Sequence, residues 1–584
     1  MRALPLLAAA GLALAPAHAI AATITIVNSD DPGEGFNDPT PVEPVGGNEA
    51  TTLGEQRLNA FQFAANVWGA LLDSSVEIQI RAFFNPLTCT PTSATLGSAG
   101  AISVESDFPG AILPGTWYSQ ALANRLSGVD GDPTGPDIQA QFNSSLNGDP
   151  ACLGGTSWYL GFDDAHGANI DLVTVLLHEF GHGLGFQTFY NGATGALFLG
   201  MPDAYLVNLF DDTTGKAWDE MTDAERLAST INPRQVVWTG GNVTEQVPAT
   251  LVPGTPILTV EQPGSVAGEY LVGAAAFGPP IGDALSGEVA LADDGLAAPG
   301  GGTTTDGCEP ITSDVAGKIA LLDRGLCGFT IKVANAQAAG AIAVLVADNV
   351  AGSPPAALGG VDPTITIPSA RITLAAGNAL KGALPGVVAT LELDLTRRAG
   401  ADANDMVLMF TPDPRQPGSS VSHWDTSATP NLLMEPALNA NQGHGVDLTL
   451  PLFRDIGWIA DHDLDGVNDG EDNCPTIVNA GQEDANEDGI GDACPIRPVL
   501  ECVRRRGLLN FTAVFGYDNA ESVERSLAVR FPFNFFVPGI NRGQPGTFAA
   551  GRQQNVFEVP GTIVLAWFLD GNSAIATPFS RRCP

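Results

Sequence analysis

Basic residues are scarce in this chain: 26 Lys and Arg stand against 65 Asp and Glu, giving a formal net charge of −39. A phosphate backbone is held by clustered Lys and Arg, so this balance excludes a nucleic-acid partner. Long apolar runs are also missing. No stretch reaches the roughly 20 uninterrupted apolar residues that a transmembrane helix requires. Histidine is also rare, with seven in 584 residues.

What is present begins with a leader pattern. Met1-Arg2 precedes an apolar run from Ala3 to Ala15 and the small-residue site Ala17-His18-Ala19, the order of a secretory signal peptide over residues 1–19. Export to an oxidising compartment, and so a secreted protein, is the expectation. The eight cysteines agree with it. They fall into neighbouring pairs, Cys89 with Cys152, Cys308 with Cys327, Cys474 with Cys494, and Cys502 with Cys583, and four disulfides are the economical reading, although sequence alone leaves the connectivity open.

The length predicts roughly three to five domains. Residues 20–247 mix helix and strand signals: Gly54 to Leu72 has helical apolar spacing and Val76 to Phe84 alternates like a strand. Asp171 to Phe186 reads as a buried helix, capped near Asp171 and loosened by Gly181, Gly183 and Gly185. Residues 248–398 change to short Val, Ile and Leu runs between Gly and Pro, a β-rich module with one or two helices. Residues 399–459 are less repetitive again, like residues 20–247, as if completing a domain that the module interrupts. Residues 460–495 are acidic, and residues 496–584 predict a small β-sandwich.

The segment Gly317 to Asn349, GKIALLDRGLCGFTIKVANAQAAGAIAVLVADN, resembles the protease-associated (PA) domain, a non-catalytic insert of many peptidases. The resemblance implies a disulfide between Cys308 and Cys327, as in some of those modules.

His178-Glu179-Phe180-Gly181-His182 matches H-E-x-x-H. Residues four apart share one helical face, so two imidazoles can ligate one Zn²⁺ while Glu179 projects beside its open position. The apolar run Leu172 to Leu177 makes this a core helix, where two histidines and a glutamate are costly to bury without a metal or hydrogen-bond partners. Gly185, three places after His182, allows a sharp exit from the helix.

The pattern of compact metzincins would place a third histidine at position 188, which is Thr188. Val421-Ser422-His423-Trp424-Asp425, followed by Asn431-Leu432-Leu433-Met434-Glu435-Pro436, resembles instead the leishmanolysin family, metzincins whose third ligand follows an insertion. The resemblance implies His423 as third zinc ligand, Met434 as the Met-turn beneath the metal, and hydrolysis by a zinc-activated water with Glu179 as general base. Asp203, His166 and His444 are the rival third ligands, with a Glu after a second helix, as in gluzincins, a remoter choice.

Asp461-His462-Asp463-Leu464-Asp465-Gly466 recurs as Asp484-Ala485-Asn486-Glu487-Asp488-Gly489. Alternate oxygen ligands before a glycine wrap Ca²⁺, with Val467 and Ile490 offering backbone carbonyls at the seventh positions. Asp469 and Asp472 continue the first loop and Asp492 the second, whose twelfth position is Pro495, so this is not an EF-hand. With Cys474 and Cys494, the segment resembles thrombospondin type 3 repeats.

The expected fold is therefore multidomain α+β: a metzincin-like catalytic domain interrupted by a PA domain, then calcium-binding loops and a C-terminal β-sandwich-like domain. The expected activity is that of a zinc metalloendopeptidase acting on protein or peptide substrates, with Zn²⁺ and Ca²⁺ as cofactors. The C-terminal domain is a candidate for cell-surface or matrix contact. The competing reading is a calcium-dependent adhesion protein that retains a peptidase fold without turnover; it gives no chemical reason for Glu179.

Overall fold

The computed structural model describes residues 21–583 except 298–299, 301, 440–441, 460–478, 480, 483–495 and short stretches within 507–579. The leader pattern and all the expected calcium ligands, Asp461 to Asp472 and Asp484 to Asp492, lie outside the described residues, as do Cys474 and Cys494. The chain divides into two compact units, one of residues 20–458 and one that includes residues 459–584. Among the described residues no helix is long and apolar enough to cross a membrane.

The first unit opens with a four-stranded sheet. Strands β1 (Ile24–Asn28), β2 (Ile78–Asn85) and β4 (Ile138–Asn143) run parallel, and β3 (Gly97–Ala101) pairs antiparallel with β4 at the edge. Helix α1 (Leu53–Leu71) is capped by Thr52, whose side chain accepts from the Glu55 amide. It buries Ala60, Phe61, Ala64, Ala65 and Trp68 completely, the alternating three- and four-residue spacing of one helical stripe.

Helix α2 (Leu172–Leu184) is capped by Asp171, whose side chain accepts from the Thr174 amide at 2.9 Å. Its residues Leu172, Val173, Leu176, Leu177, Phe180 and Leu184 are fully buried, so the helix lies inside the fold except on the face that carries His178 and His182. Phe180 packs on Phe61, and Trp68 Nε1 donates to the Leu177 carbonyl. Its approach to β4 depends on Gly183, where an added Cβ would stand 2.4 Å from Ile138 Cγ2. Gly183→Ala is expected to cost about 1–3 kcal/mol by overpacking. Chemical denaturation measures this, and the paired change Ile138→Ala should return part of the loss.

Residues 253–398 form an eight-stranded mixed sheet in the order 268–271, 253–262, 388–398, 285–291, 319–323, 343–347, 369–372, 273–274. The strands from 285–291 to 369–372 are parallel. Helix Phe329–Ala338 makes the crossover between two of them, as parallel pairing requires. Helix Leu374–Ala383 follows the last. One apolar cluster, built on Leu321, Leu345 and Leu391, and another, on Leu322, Val344 and Val346, use opposite faces of the pleat. Pro253 pairs with Arg398, so the chain enters and leaves this sheet at adjacent points.

The segments on either side of the sheet meet. Trp238 N donates to Val407 O at 2.9 Å and Met409 N to Val236 O at 2.8 Å. Helix α3 (Thr449–Ile456) carries Asp455, which accepts from Trp238 Nε1 and from the Asn242 amide, and Trp458 Nε1 donates to Leu184 O at the end of α2.

The second unit contains two three-stranded antiparallel sheets. One joins Ile496–Arg505, Asn510–Asn519 and Gly551–Thr562; the other joins Asn534–Val537, Leu565–Leu569 and Asn572–Ala576. Phe515 and Tyr517 of the first share one buried cluster with Phe536 and Trp567 of the second. Disulfides join Cys89 to Cys152, Cys308 to Cys327 and Cys502 to Cys583.

Candidate metal centre

Two histidines come from α2, on the face that four-residue spacing dictates. The third comes from the segment beyond the eight-stranded sheet. His178 Nε2 and His182 Nε2 are 3.2 Å apart, His182 Nε2 and His423 Nε2 3.2 Å, and His423 Nε2 and His178 Nε2 3.3 Å.

Each ring's other nitrogen faces a backbone carbonyl: His178 Nδ1 lies 2.7 Å from Leu433 O, His182 Nδ1 2.8 Å from Phe186 O, and His423 Nδ1 2.9 Å from Ser419 O. A carbonyl only accepts, so Nδ1 carries the proton in all three rings and three bare Nε2 lone pairs point at one another. That arrangement is repulsive without a cation. Three corners of a tetrahedron with metal–nitrogen bonds of about 2.0–2.1 Å are roughly 3.3 Å apart, so the donor set fits Zn²⁺.

Burial holds all three imidazoles neutral. It lowers His178, takes His182 down to about 3 with help from His178, and places His423 well below the usual range. Glu179 is 8% exposed, and burial raises its carboxyl to about 8 against the opposing hydrogen bond from the Ala99 backbone. A divalent cation beside it would favour the ionised form.

His423 is fixed by its neighbours. Phe410 N donates to its carbonyl, Trp424 N donates to Met434 O, and Val421 N donates to Phe410 O. Val421 has φ +73°, a strained backbone for a β-branched residue, and the Tyr205 hydroxyl donates to its carbonyl at 2.9 Å. Met434 is fully buried, and a Cβ added to Gly181 between the two helix histidines would stand 2.9 Å from its Sδ. Gly185 ends the helix at φ +132°, a conformation that disfavours a side chain.

The rival ligands lie elsewhere. Thr188 donates to Asp203, which also accepts from the Phe189 and Leu206 amides, so Asp203 is a buried anchor of a turn. His166 bonds the Asn169 carbonyl, and His444 bonds Asp171 at the far end of α2.

The three histidines and Glu179 line a cleft of about 930 Å³. Residues 92–99, leading into β3, form one wall, and Pro436, Ala437 and Leu438 form part of another. Two supports were not evident from sequence. Glu435 accepts from the Leu432 amide and from Asn439, with burial raising it to about 7; Asp447 accepts from the Leu433 amide and so holds the carbonyl that meets His178. Both are lone acids in loops with no motif to mark them. Wall strand β3, Gly-Ser-Ala-Gly-Ala, has neither β-branched residues nor alternation to announce it.

Comparison with known proteins identifies two modules. Residues 285–380 match the PA domain model, and residues 460–482 match the thrombospondin type 3 repeat model. The chain is therefore a multidomain protein with a PA domain and a thrombospondin type 3 repeat. Vacuolar-sorting receptor 1 of Pisum sativum is 34% identical over 144 residues, 22% of this chain and 22% of the relative. Vacuolar-sorting receptor 5 of Arabidopsis thaliana is 40% identical over 83 residues, 12% of each. The chain thus spans about a fifth or less of these relatives. A solved zinc aminopeptidase from Bacillus subtilis is similar at 26% identity, covering 26% of this chain and 35% of that one, with a TM-score of 0.19. A score so low carries nothing about the fold or activity of this chain.

Proposed function

We propose that the protein is an exported zinc metalloendopeptidase of leishmanolysin-like wiring, with His178, His182 and His423 as zinc ligands and Glu179 as general base. The observation that carries this reading is the convergence of three bare Nε2 atoms beside a buried carboxylate in a long open cleft. Zinc bound there would supply a Lewis acid that polarises the scissile carbonyl and acidifies water.

The protein's own groups do the rest. Glu179 takes the proton of the attacking water on a carboxylate oxygen and later delivers it to the leaving amine. Strand β3 is the edge of its sheet and lines the cleft, and an extended peptide adds beside it as a further strand. Met434 packs against Gly181 and sets the height of the ligand pair. The PA domain between the helix and His423, whose ends lie side by side, leaves the two ligand-bearing segments free to pack together. Disulfides support an extracellular substrate pool, and the thrombospondin type 3 match supports calcium binding by the acidic loops.

The test compares wild type with Glu179→Ala for zinc by elemental analysis and for cleavage of casein. Glu179→Ala is expected to keep one zinc and lose about 10²–10⁴ in turnover. A wild type that holds zinc but cleaves no member of a broad peptide library would favour the adhesion reading instead.

A further inference from the structure

A second group of metal-competent side chains lies in the PA domain, far along the chain from the histidines. Asp294, Asp306 and Glu309 each present a carboxylate oxygen, and these oxygens lie within 4.8 Å of one another. Asp294 is 3% exposed and Asp306 1%. Asp306 is held in place because its two oxygens accept from the Thr303 and Cys308 amides at 3.1 and 3.0 Å. Asp294 Oδ1 accepts from the Leu296 amide at 3.0 Å.

The remaining oxygens are the telling ones. Asp294 Oδ2 and Glu309 Oε2 are both buried and have no hydrogen-bond partner among the described residues. An unpaired buried carboxylate oxygen is expensive, and two beside a third like charge compound the cost unless a cation sits between them.

The obvious internal counter-ion is Lys332, which is fully buried. Its ammonium donates to the Asp306 carbonyl and lies 3.4 Å from Cys308 Sγ, so its bonds go to groups other than the three carboxylates. One ammonium also cannot balance three carboxylates, and burial lowers its affinity for a proton despite them.

We propose that Asp294, Asp306 and Glu309 bind a hard divalent cation, calcium in an extracellular setting. The ligand set is all oxygen, which suits Ca²⁺ and disfavours zinc or copper, and water completes the coordination. The ion ties residues 292–296 to residues 303–309, next to the Cys308–Cys327 disulfide, and makes the rigidity of this face of the PA domain calcium-dependent.

Hydrogen exchange on the full-length protein, read by mass spectrometry in calcium and in chelator, tests this without reference to peptidase activity. With calcium at about ten times the dissociation constant, exchange across residues 292–312 should slow about tenfold. The response should disappear in Asp294→Asn and in Glu309→Gln, and persist in Lys332→Met. Glu309 is only partly buried, so its variant folds even where the other does not; protection of strand 319–323 reports folding in both. Peptides from 460–482 read the thrombospondin type 3 repeat separately. A folded wild type with no calcium response across 292–312 overturns the proposal, as does a response that survives both carboxylate substitutions.

Discussion

His423→Ala is expected to release zinc and abolish peptide cleavage together. Structural zinc sites are worth about 10–16 kcal/mol over four ligands, so one imidazole accounts for roughly 2.5–4 kcal/mol, a loss of about 10²–10³ in affinity. Turnover falls further, because the two remaining ligands leave the metal free to shift relative to Glu179. The imidazole is 6% exposed and held at Nδ1 by Ser419 O, so its removal also leaves a cavity that solvent enters from the cleft. Elemental analysis and casein cleavage read the two effects. The pattern differs from Glu179→Ala, which keeps the metal. Full zinc occupancy in the His423 variant would show that another group completes the site. Asp203 and His444 are poor substitutes, since Asp203 Oδ2 accepts from Thr188 and Phe189, its Oδ1 accepts from Leu206, and His444 Nε2 meets Asp171.

Much of this centre was legible in the sequence, for reasons of helical geometry. The four-residue spacing of His178 and His182 fixes their common face once the apolar run predicts a helix, and the helix indeed spans Leu172–Leu184 with Asp171 as its cap. Helix α1 and strand β2 likewise declared themselves by period. His423 needed a family resemblance, because no local period relates it to residues so far back; it comes near them through the pairing of the segments that flank the eight-stranded sheet.

What stayed hidden was of another kind. Strand β3 is built of small residues with weak strand preference, and it acquires its place by pairing with β4. Glu435 and Asp447 act by accepting backbone amides of the turn that carries Met434, and an acid in a loop gives no sign of which amide it will meet. The acidic repeat could be read for its ligand spacing but lies outside the described residues.

The second large effect is expected at Asp455, which is not among the residues that line the cleft. Its carboxylate accepts from Trp238 Nε1 at 2.8 Å, from the Asn242 amide at 2.9 Å and from Asn242 Nδ2 at 3.0 Å, so one side chain on α3 pins the segment that precedes the PA domain. Asp455→Ala strips a buried indole N–H and a buried amide of their acceptor. At about 1–3 kcal/mol for each of the two orphaned donors, the variant should lose roughly 2–6 kcal/mol of stability, read as a shift of the denaturation midpoint with unchanged slope. Asp455→Asn keeps one acceptor oxygen and should lose about half as much. Zinc distinguishes the reason. His178 and His182 lie before the PA domain and His423 after it, so zinc held by all three would need the two segments docked and would stabilise the docked form by mass action. Saturating zinc should therefore raise the midpoint of Asp455→Ala as it does that of wild type. In His423→Ala, which has lost the ligand that spans the two segments, the same zinc should raise it little. A midpoint unmoved by zinc in Asp455→Ala, with zinc still bound, would mean that the two segments do not unfold as one body.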